Sequence, residues 1–176
     1  MSIQGEINQL CDAGLLDRLV LGTGEPESRV IVVAEPMRHI LEGPYGGNEE
    51  FERAAQDLKS LLSDFVRGDK ITVSRRSGGS CQLKQLTPTS TEVWEFRSSD
   101  PAGDDPGIRT FGRFAALDVF VAFRWQYRGQ LGPIGSRQWK HYIDGCVADW
   151  RKYFPNSSHL KRKRFHDGYL SNAEEA

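Results

Sequence analysis

The sequence predicts an α+β fold, an antiparallel sheet with a central hairpin packed against amphipathic helices. Three observations carry that expectation. Residues 48–68 and 136–154 each repeat apolar side chains at helical spacing between a capping residue and a helix stop. Residues 108–128 hold two aromatic and β-branched runs joined only by Ala115-Ala-Leu-Asp118, short enough to make them an antiparallel pair. A length of 176 residues suits a single domain with a sizeable core.

Taken in order, Ser2 caps a short helix built on Ile3, Ile7 and Leu10, Gly14 ends it, and a second turn finishes near Leu21. Arg29-Val-Ile-Val-Val-Ala34 is short and β-branched, bounded by glycines upstream and Pro36 downstream, and predicts a strand. From Asn48 the signals agree on a helix. Asn48 caps it, three glutamates occupy the first turn where the helix dipole favours anions, Phe51, Ala55, Leu58, Leu62 and Phe65 share a face, and Gly68 stops it. A strand at Lys70–Ser74, a Gly78-Gly79 turn and a further strand within residues 82–97 follow, and residues 98–107, rich in Asp and Pro, predict a loop. The hairpin of residues 108–128 then forms the centre of the sheet. Ser136 opens the last helix, whose stripe of Trp139, Ile143, Val147, Trp150 and Phe154 is spaced as a buried face and ends at Pro155. Lys161-Arg-Lys-Arg164 begins a polar tail.

Composition removes several function classes. No stretch approaches the length of a membrane span, and the opening residues lack a basic and then apolar leader, which together predict a cytoplasmic protein that does not engage a membrane. Cys11, Cys81 and Cys146 are odd in number and widely spaced, so neither a disulfide framework nor a thiolate metal site is indicated. The four histidines never fall at metal-ligand spacing, and no glycine-rich phosphate loop or nucleophile elbow occurs. The expectation is a protein without metal or cofactor. Net charge is −1, but residues 1–66 carry −7 and residues 67–176 carry +6. That asymmetry points to a localised anion or nucleic-acid site.

Alternation along strands places Arg109 with Arg113, Arg124 with Arg128, and Arg97 with Glu95, each pair on one face, while Val121, Phe123 and Trp125 turn to the core. If the three faces coincide, five guanidinium groups line one surface. Arginine suits phosphate because its rigid fork donates two parallel hydrogen bonds and keeps its charge. The competing reading is a solvated sheet face whose arginines pair with Asp100, Asp104, Asp105 or Asp118. Lys161, Arg162, Lys163 and Arg164 fit a clamp on a phosphate backbone, the competing reading being a solvated tail.

Leu83-Lys-Gln-Leu86, Thr91-Glu-Val-Trp-Glu-Phe-Arg97, Gly107-Ile-Arg109 and Val119-Phe-Val-Ala-Phe-Arg124 with Arg128 together resemble the core of the RelE/HigB/ParE toxin superfamily over about residues 48–154. The resemblance divides one domain into an acidic part (1–47), a toxin-like core (48–154) and a basic tail (155–176). It implies a metal-independent endoribonuclease acting on RNA or the ribosome, or a gyrase inhibitor, held in check by an antitoxin partner. By resemblance Arg97 and Arg109 hold the scissile phosphate, Arg128 aids the leaving group, and Glu95 or Tyr127 assists proton transfer, with Arg113 and Arg124 as further RNA contacts. The usual lysine-rich strand end is Arg124-Trp-Gln-Tyr-Arg128 in this chain, and the last helix and the acidic extension exceed the compact toxin plan. The alternatives are a binding module that holds nucleic acid or an acidic protein without cleaving it, and an interaction module whose acidic N-terminal third covers the basic sheet.

Overall fold

A computed structural model describes residues 2–74, 81–98, 107–162 and 168–175. The elements run in chain order as α1 (Ile3–Asp12), β1 (Leu16–Arg18), β2 (Val30–Ala34), α2 (Glu35–Glu42), α3 (Glu49–Arg67), β3 (Ile71–Ser74), β4 (Leu83–Gln85), β5 (Trp94–Arg97), β6 (Ile108–Ala116), β7 (Val119–Tyr127), α4 (Arg137–Tyr153) and β8 (Ala173–Glu175). The expected caps are present: Ser2, Asn48 and Ser136 each accept a backbone N–H of the first turn, and Gly68 closes α3 in the left-handed conformation.

All eight strands form one sheet in the order β1-β2-β7-β6-β5-β4-β3-β8, so the β6–β7 hairpin lies centrally as expected. The class is α+β, but the sheet is mixed and not antiparallel. β2 runs parallel to β7, and β3 runs parallel to both β4 and β8. Local hairpin signals identify β6 and β7 as partners. The β2–β7 and β3–β8 pairings join segments distant in sequence, and no turn chemistry announces them.

Apolar residues pack on both faces. On one face α2 and α3 cover Ile31, Val33, Phe96, Phe114 and Phe120. On the other, α1 and α4 cover Val32, Phe111, Val121 and Phe123, with Trp139 and Trp150 buried as the spacing of α4 predicts. The sheet is therefore a middle layer between helices.

Three segments differ from the sequence expectation. The turn after Gly14 is the edge strand β1, paired with β2. Pro36 bounds the strand as expected, but it also stands at the start of α2, a helix that the sequence reading did not include, where its missing N–H costs nothing. The polar tail folds back: Tyr169 is buried against Trp94 and Phe114, and β8 extends the sheet beyond β3. The Gly78-Gly79 turn, the 99–106 part of the predicted loop, Lys163 and Arg164 lie outside the described residues.

A buried arginine locks these pieces together. Arg29 pairs with Asp118 in the β6–β7 turn, and donates to the carbonyls of Phe65 and Asp69 at the end of α3 and of Ser171 and Asn172 in the C-terminal segment. Its guanidinium also lies over the Phe65 ring. The fixed fork of donors suits one residue to several carbonyls at once.

Candidate anion site on the central sheet

Register decides which side chains share a face. Arg97 and Arg109 are direct cross-strand partners, Lys84 opposes Glu95, and Gln126 opposes Arg109. Glu95 and Arg97 alternate with Trp94 and Phe96, which enter the α2–α3 core, so both point to the α4 side. A register shift at β7 leaves Phe123 unmatched between Ala122 and Arg124. The bulge puts Phe123 and Arg124 both toward α4, where Phe123 stacks on Tyr153 and Arg124 binds Asp149. Trp125 consequently turns to the opposite face, against Phe51 of α3, and not with Phe123 as strict alternation predicts. The close approach of β6 to β7 at the same bulge needs Gly112, since a Cβ there would run into the Val121 carbonyl and the Phe120 ring.

Glu95 is the carboxylate at the middle of the site and is 3% exposed. Its Oε1 lies 3.7 Å from Arg97 Nε and its Oε2 3.9 Å from Arg109 Nε, ion-pair distances too long for hydrogen bonds. Oε2 accepts no hydrogen bond among the described residues. Burial pushes the Glu95 carboxyl above its ordinary range, against the pull of Arg109, Arg97, Lys84 and Arg128. Burial likewise lowers the Arg109 guanidinium to about 10, with Glu95 opposing the shift.

Three of the cations around Glu95 donate to neutral groups. Arg109 Nη1 donates to the carbonyls of Ser98 (2.9 Å) and Ile108 (3.2 Å), Arg128 Nη1 donates to Gly132 (2.8 Å) and lies over the Trp139 ring, and Arg97 Nη1 donates to Cys81 Sγ (3.4 Å). Other arginines are bound directly by carboxylates: Arg18 by Glu27, Arg38 by Asp17, Arg67 by Glu25, Asp64 and Asp69, and Arg124 by Asp149. Among the described residues, no carboxylate of the acidic N-terminal third forms an ion pair with Arg109 or Arg128. The ion pairs described for that third do not cover this part of the sheet.

Arg97, Arg109, Arg128 and Glu95 are thus brought together as the strand parity predicts. Tyr127 is not. It faces the α2–α3 side, opposite Ile108 and beside Phe51 and Trp125, because its parity is that of Trp125. Arg113 is buried, donating to the Thr91 carbonyl and facing His159 across 3.1 Å, so it is no surface contact for RNA. Arg124 is held bidentate by Asp149 and lines a separate cleft of about 630 Å³ with Arg38, Tyr142 and Lys152. Lys161 and Arg162 are exposed.

Compared with known proteins, the chain matches no family model, no curated protein and no solved structure. Its geometry therefore carries the functional argument. Sequence reasoning missed Lys84 and Cys81, which complete the cluster. Lys84 stands inside the quoted Leu83-Lys-Gln-Leu86, but only the β4–β5 register sets it opposite Glu95. Among the described residues no three His, Cys, Asp or Glu side chains come together as a metal-binding group, and no helix is long and apolar enough to cross a membrane.

Proposed function

We propose that this protein binds single-stranded RNA through the α4-side surface around Glu95 and cleaves it without a metal ion, in the manner of the toxin superfamily its core resembles. The observation that carries the reading is the convergence of Arg97, Arg109 and Arg128 on one buried carboxylate, with Arg109 and Arg128 anchored by carbonyls so that their charge remains for an anion. Arg97 and Arg109 hold the scissile phosphate and stabilise the charge that grows on its oxygens. The 2′-oxygen forms its bond to phosphorus as the bond from phosphorus to the 5′-oxygen breaks. Glu95 takes the 2′-hydroxyl proton and relays it to the departing 5′-oxygen, beside which Arg128 neutralises charge. A carboxyl whose affinity for protons is raised by burial suits this exchange better than an ordinary one. Lys161 and Arg162 extend the basic surface along the strand.

A second reading rests on the 3% exposure of Glu95 and the 6% exposure of Arg109, which leave little room for a hydroxyl to reach the carboxylate. On that reading the surface holds RNA, or an acidic protein such as an antitoxin, and does not cut.

One experiment separates the two. Labelled single-stranded RNA is incubated with the protein in excess chelator, with binding followed by anisotropy over a salt series and products by gel. The expected result is a 2′,3′-cyclic phosphate product, with Arg97→Ala and Arg128→Ala each slowing cleavage by roughly 100-fold, the scale of losing one transition-state donor. Binding that weakens steeply with salt but yields no product selects the holding reading. No binding at low salt removes both.

A further inference from the structure

We propose that the cleft of about 630 Å³ between α2 and α4 binds a nucleoside monophosphate unit, with its phosphate on Arg38 and Lys152, its ribose hydroxyls on Glu35 and its base against Tyr142 and Tyr153. This site is separate from the Glu95 cluster and stands without the RNA reading.

The cleft follows from the mixed topology of the sheet. β2 pairs with β7 only as far as Val33 opposite Ala122, and the chain then leaves the sheet into α2. β7 continues, paired with β6 on one edge and with no described strand on the other. Because α2 and α4 pack on opposite faces of the sheet, the end of β2 leaves a gap between them. Phe123, Arg124 and Trp125 of β7 form its floor, and the turn at Gly14 and Leu15 flanks it. Its volume falls within the span of small-molecule sites, roughly 300–1,000 Å³.

The walls are held in place by the protein itself. Tyr142 stacks on Phe111 with centroids 5.1 Å apart, and its hydroxyl accepts from Gln126 at 2.7 Å. Tyr153 stacks on Phe123 with centroids 5.9 Å apart, and Trp125 Nε1 donates to the Pro36 carbonyl at 2.9 Å, tying β7 to the start of α2. Rings fixed in this way lose little freedom when a flat partner packs on them. Two of the cations at the cleft are already paired, Arg124 with Asp149 and Arg38 with Asp17. Arg38 uses Nε for Asp17 and Nη2 for the Gly14 carbonyl, so its Nη1 donates to nothing among the described residues. One ammonium and one carboxylate are left over. Lys152 Nζ lies 5.0 Å from the centre of the Tyr153 ring, and neither Lys152 nor Glu35 forms an ion pair among the described residues.

These groups describe the ligand. Lys152 from α4 and Arg38 from α2 call for one anionic group between them. A tetrahedral phosphate offers oxygens in both directions, whereas the two oxygens of a carboxylate suit a single guanidinium fork. Glu35 calls for hydroxyl donors, as a carboxylate at a ribose does. The two tyrosines call for a planar ring. A nucleoside monophosphate carries all three, and further phosphates would meet Asp17, Asp149 and Glu35 rather than added cations.

AMP and UMP are the probes, each taken to equilibrium with the full-length protein by dialysis. The expected result is saturable binding of at least one of them, tighter than its nucleoside and its 2′-deoxy counterpart, with ATP no tighter than AMP. Lys152 and Glu35 are exposed, so their variants spare the fold. Lys152→Ala should weaken the mononucleotide by roughly fivefold and leave the nucleoside unchanged. Glu35→Gln should erase the preference for ribose over deoxyribose. Absence of binding by both mononucleotides, or both variants binding as the unaltered protein does, overturns the site, and ATP binding more tightly than AMP overturns the assignment to a monophosphate. Single-stranded RNA added to the loaded protein identifies the source: displacement of AMP assigns the unit to a strand, and AMP retained at saturating RNA assigns it to a free nucleotide. Mononucleotide binding without RNA cleavage defeats only the cleavage reading, and RNA cleavage without mononucleotide binding defeats only this site.

Discussion

His159 is a histidine held neutral by its neighbours. It is half-buried with its ring edge-on to Trp150, and its Nδ1 accepts from the Arg113 guanidinium at 3.1 Å. Burial, then the Arg113 charge, then Lys161, lower its affinity for protons to about 4 from an ordinary 6.5. A lowered folded-state value means that the unfolded chain binds the proton first, so stability is complete above pH 6.5 and is lost as pH falls toward 4. Thermal melts at pH 7 and pH 4.5 should show a smaller acid-induced drop for His159→Gln than for the unaltered protein; equal drops would show that His159 does not carry the acid sensitivity. Glu95 has the opposite sign, since its raised value makes the buried carboxylate a cost that grows as pH rises above the ordinary carboxyl range. The residue identities were visible in the sequence, but their environments were not. Nothing near His159 in sequence announces that a strand arginine 46 positions earlier donates to its ring.

At the level of elements, α4 illustrates how a helix position is set by what lies beneath it. Gly145 sits mid-helix, where replacement by alanine ordinarily stabilises by about 0.5–1 kcal/mol through reduced backbone freedom in the unfolded chain. Beneath it passes the Arg124 side chain on its way to Asp149, and a Cβ at Gly145 would stand 2.6 Å from the guanidinium carbon. Gly145→Ala is therefore expected to lose its ordinary stabilising gain, because the Arg124 guanidinium has to shift against its Asp149 pair. In an Arg124→Ala background the same change should recover its ordinary stabilising sign. A urea-denaturation cycle on the four proteins measures this coupling directly, and additivity of the two changes would refute it. The helix itself was legible from Ser136 and the spacing of its tryptophans. The partner of Arg124 was not, because the β-bulge at Phe123 shifts the face of every later residue in β7.

For the whole molecule, Arg29 is the point where distant parts of the chain meet. The end of α3, the β6–β7 turn and the C-terminal segment all place oxygens on one buried guanidinium. Arg29→Met removes the cation and leaves those acceptors without their donor, with an expected loss of roughly 3–5 kcal/mol by urea denaturation. Because Ser171 and Asn172 depend on it, limited proteolysis should release the C-terminal segment from this variant before the remainder unfolds. Arg29→Lys should recover little, since one ammonium cannot serve carbonyls on three sides. Simultaneous loss of the segment and of the sheet in a single transition would mean that the two unfold as one unit.

The sequence by itself determined the α+β class, the limits of α3 and α4, the central hairpin, and the sharing of one strand face by Glu95 and Arg97, while the β5–β6 register brought Arg109 beside them. These follow from periodicity, caps and alternation, which act between near neighbours in the chain. Only the tertiary structure decided that the sheet is mixed, that Tyr127 and Trp125 turn away from the site, that Arg113 and Arg124 are occupied elsewhere, and that Lys84 stands opposite Glu95. Those outcomes depend on strand register, on a single bulge and on pairings between segments far apart in sequence. A side chain's face and partners are set by the backbone that arrives beside it, and no local pattern encodes which backbone that is.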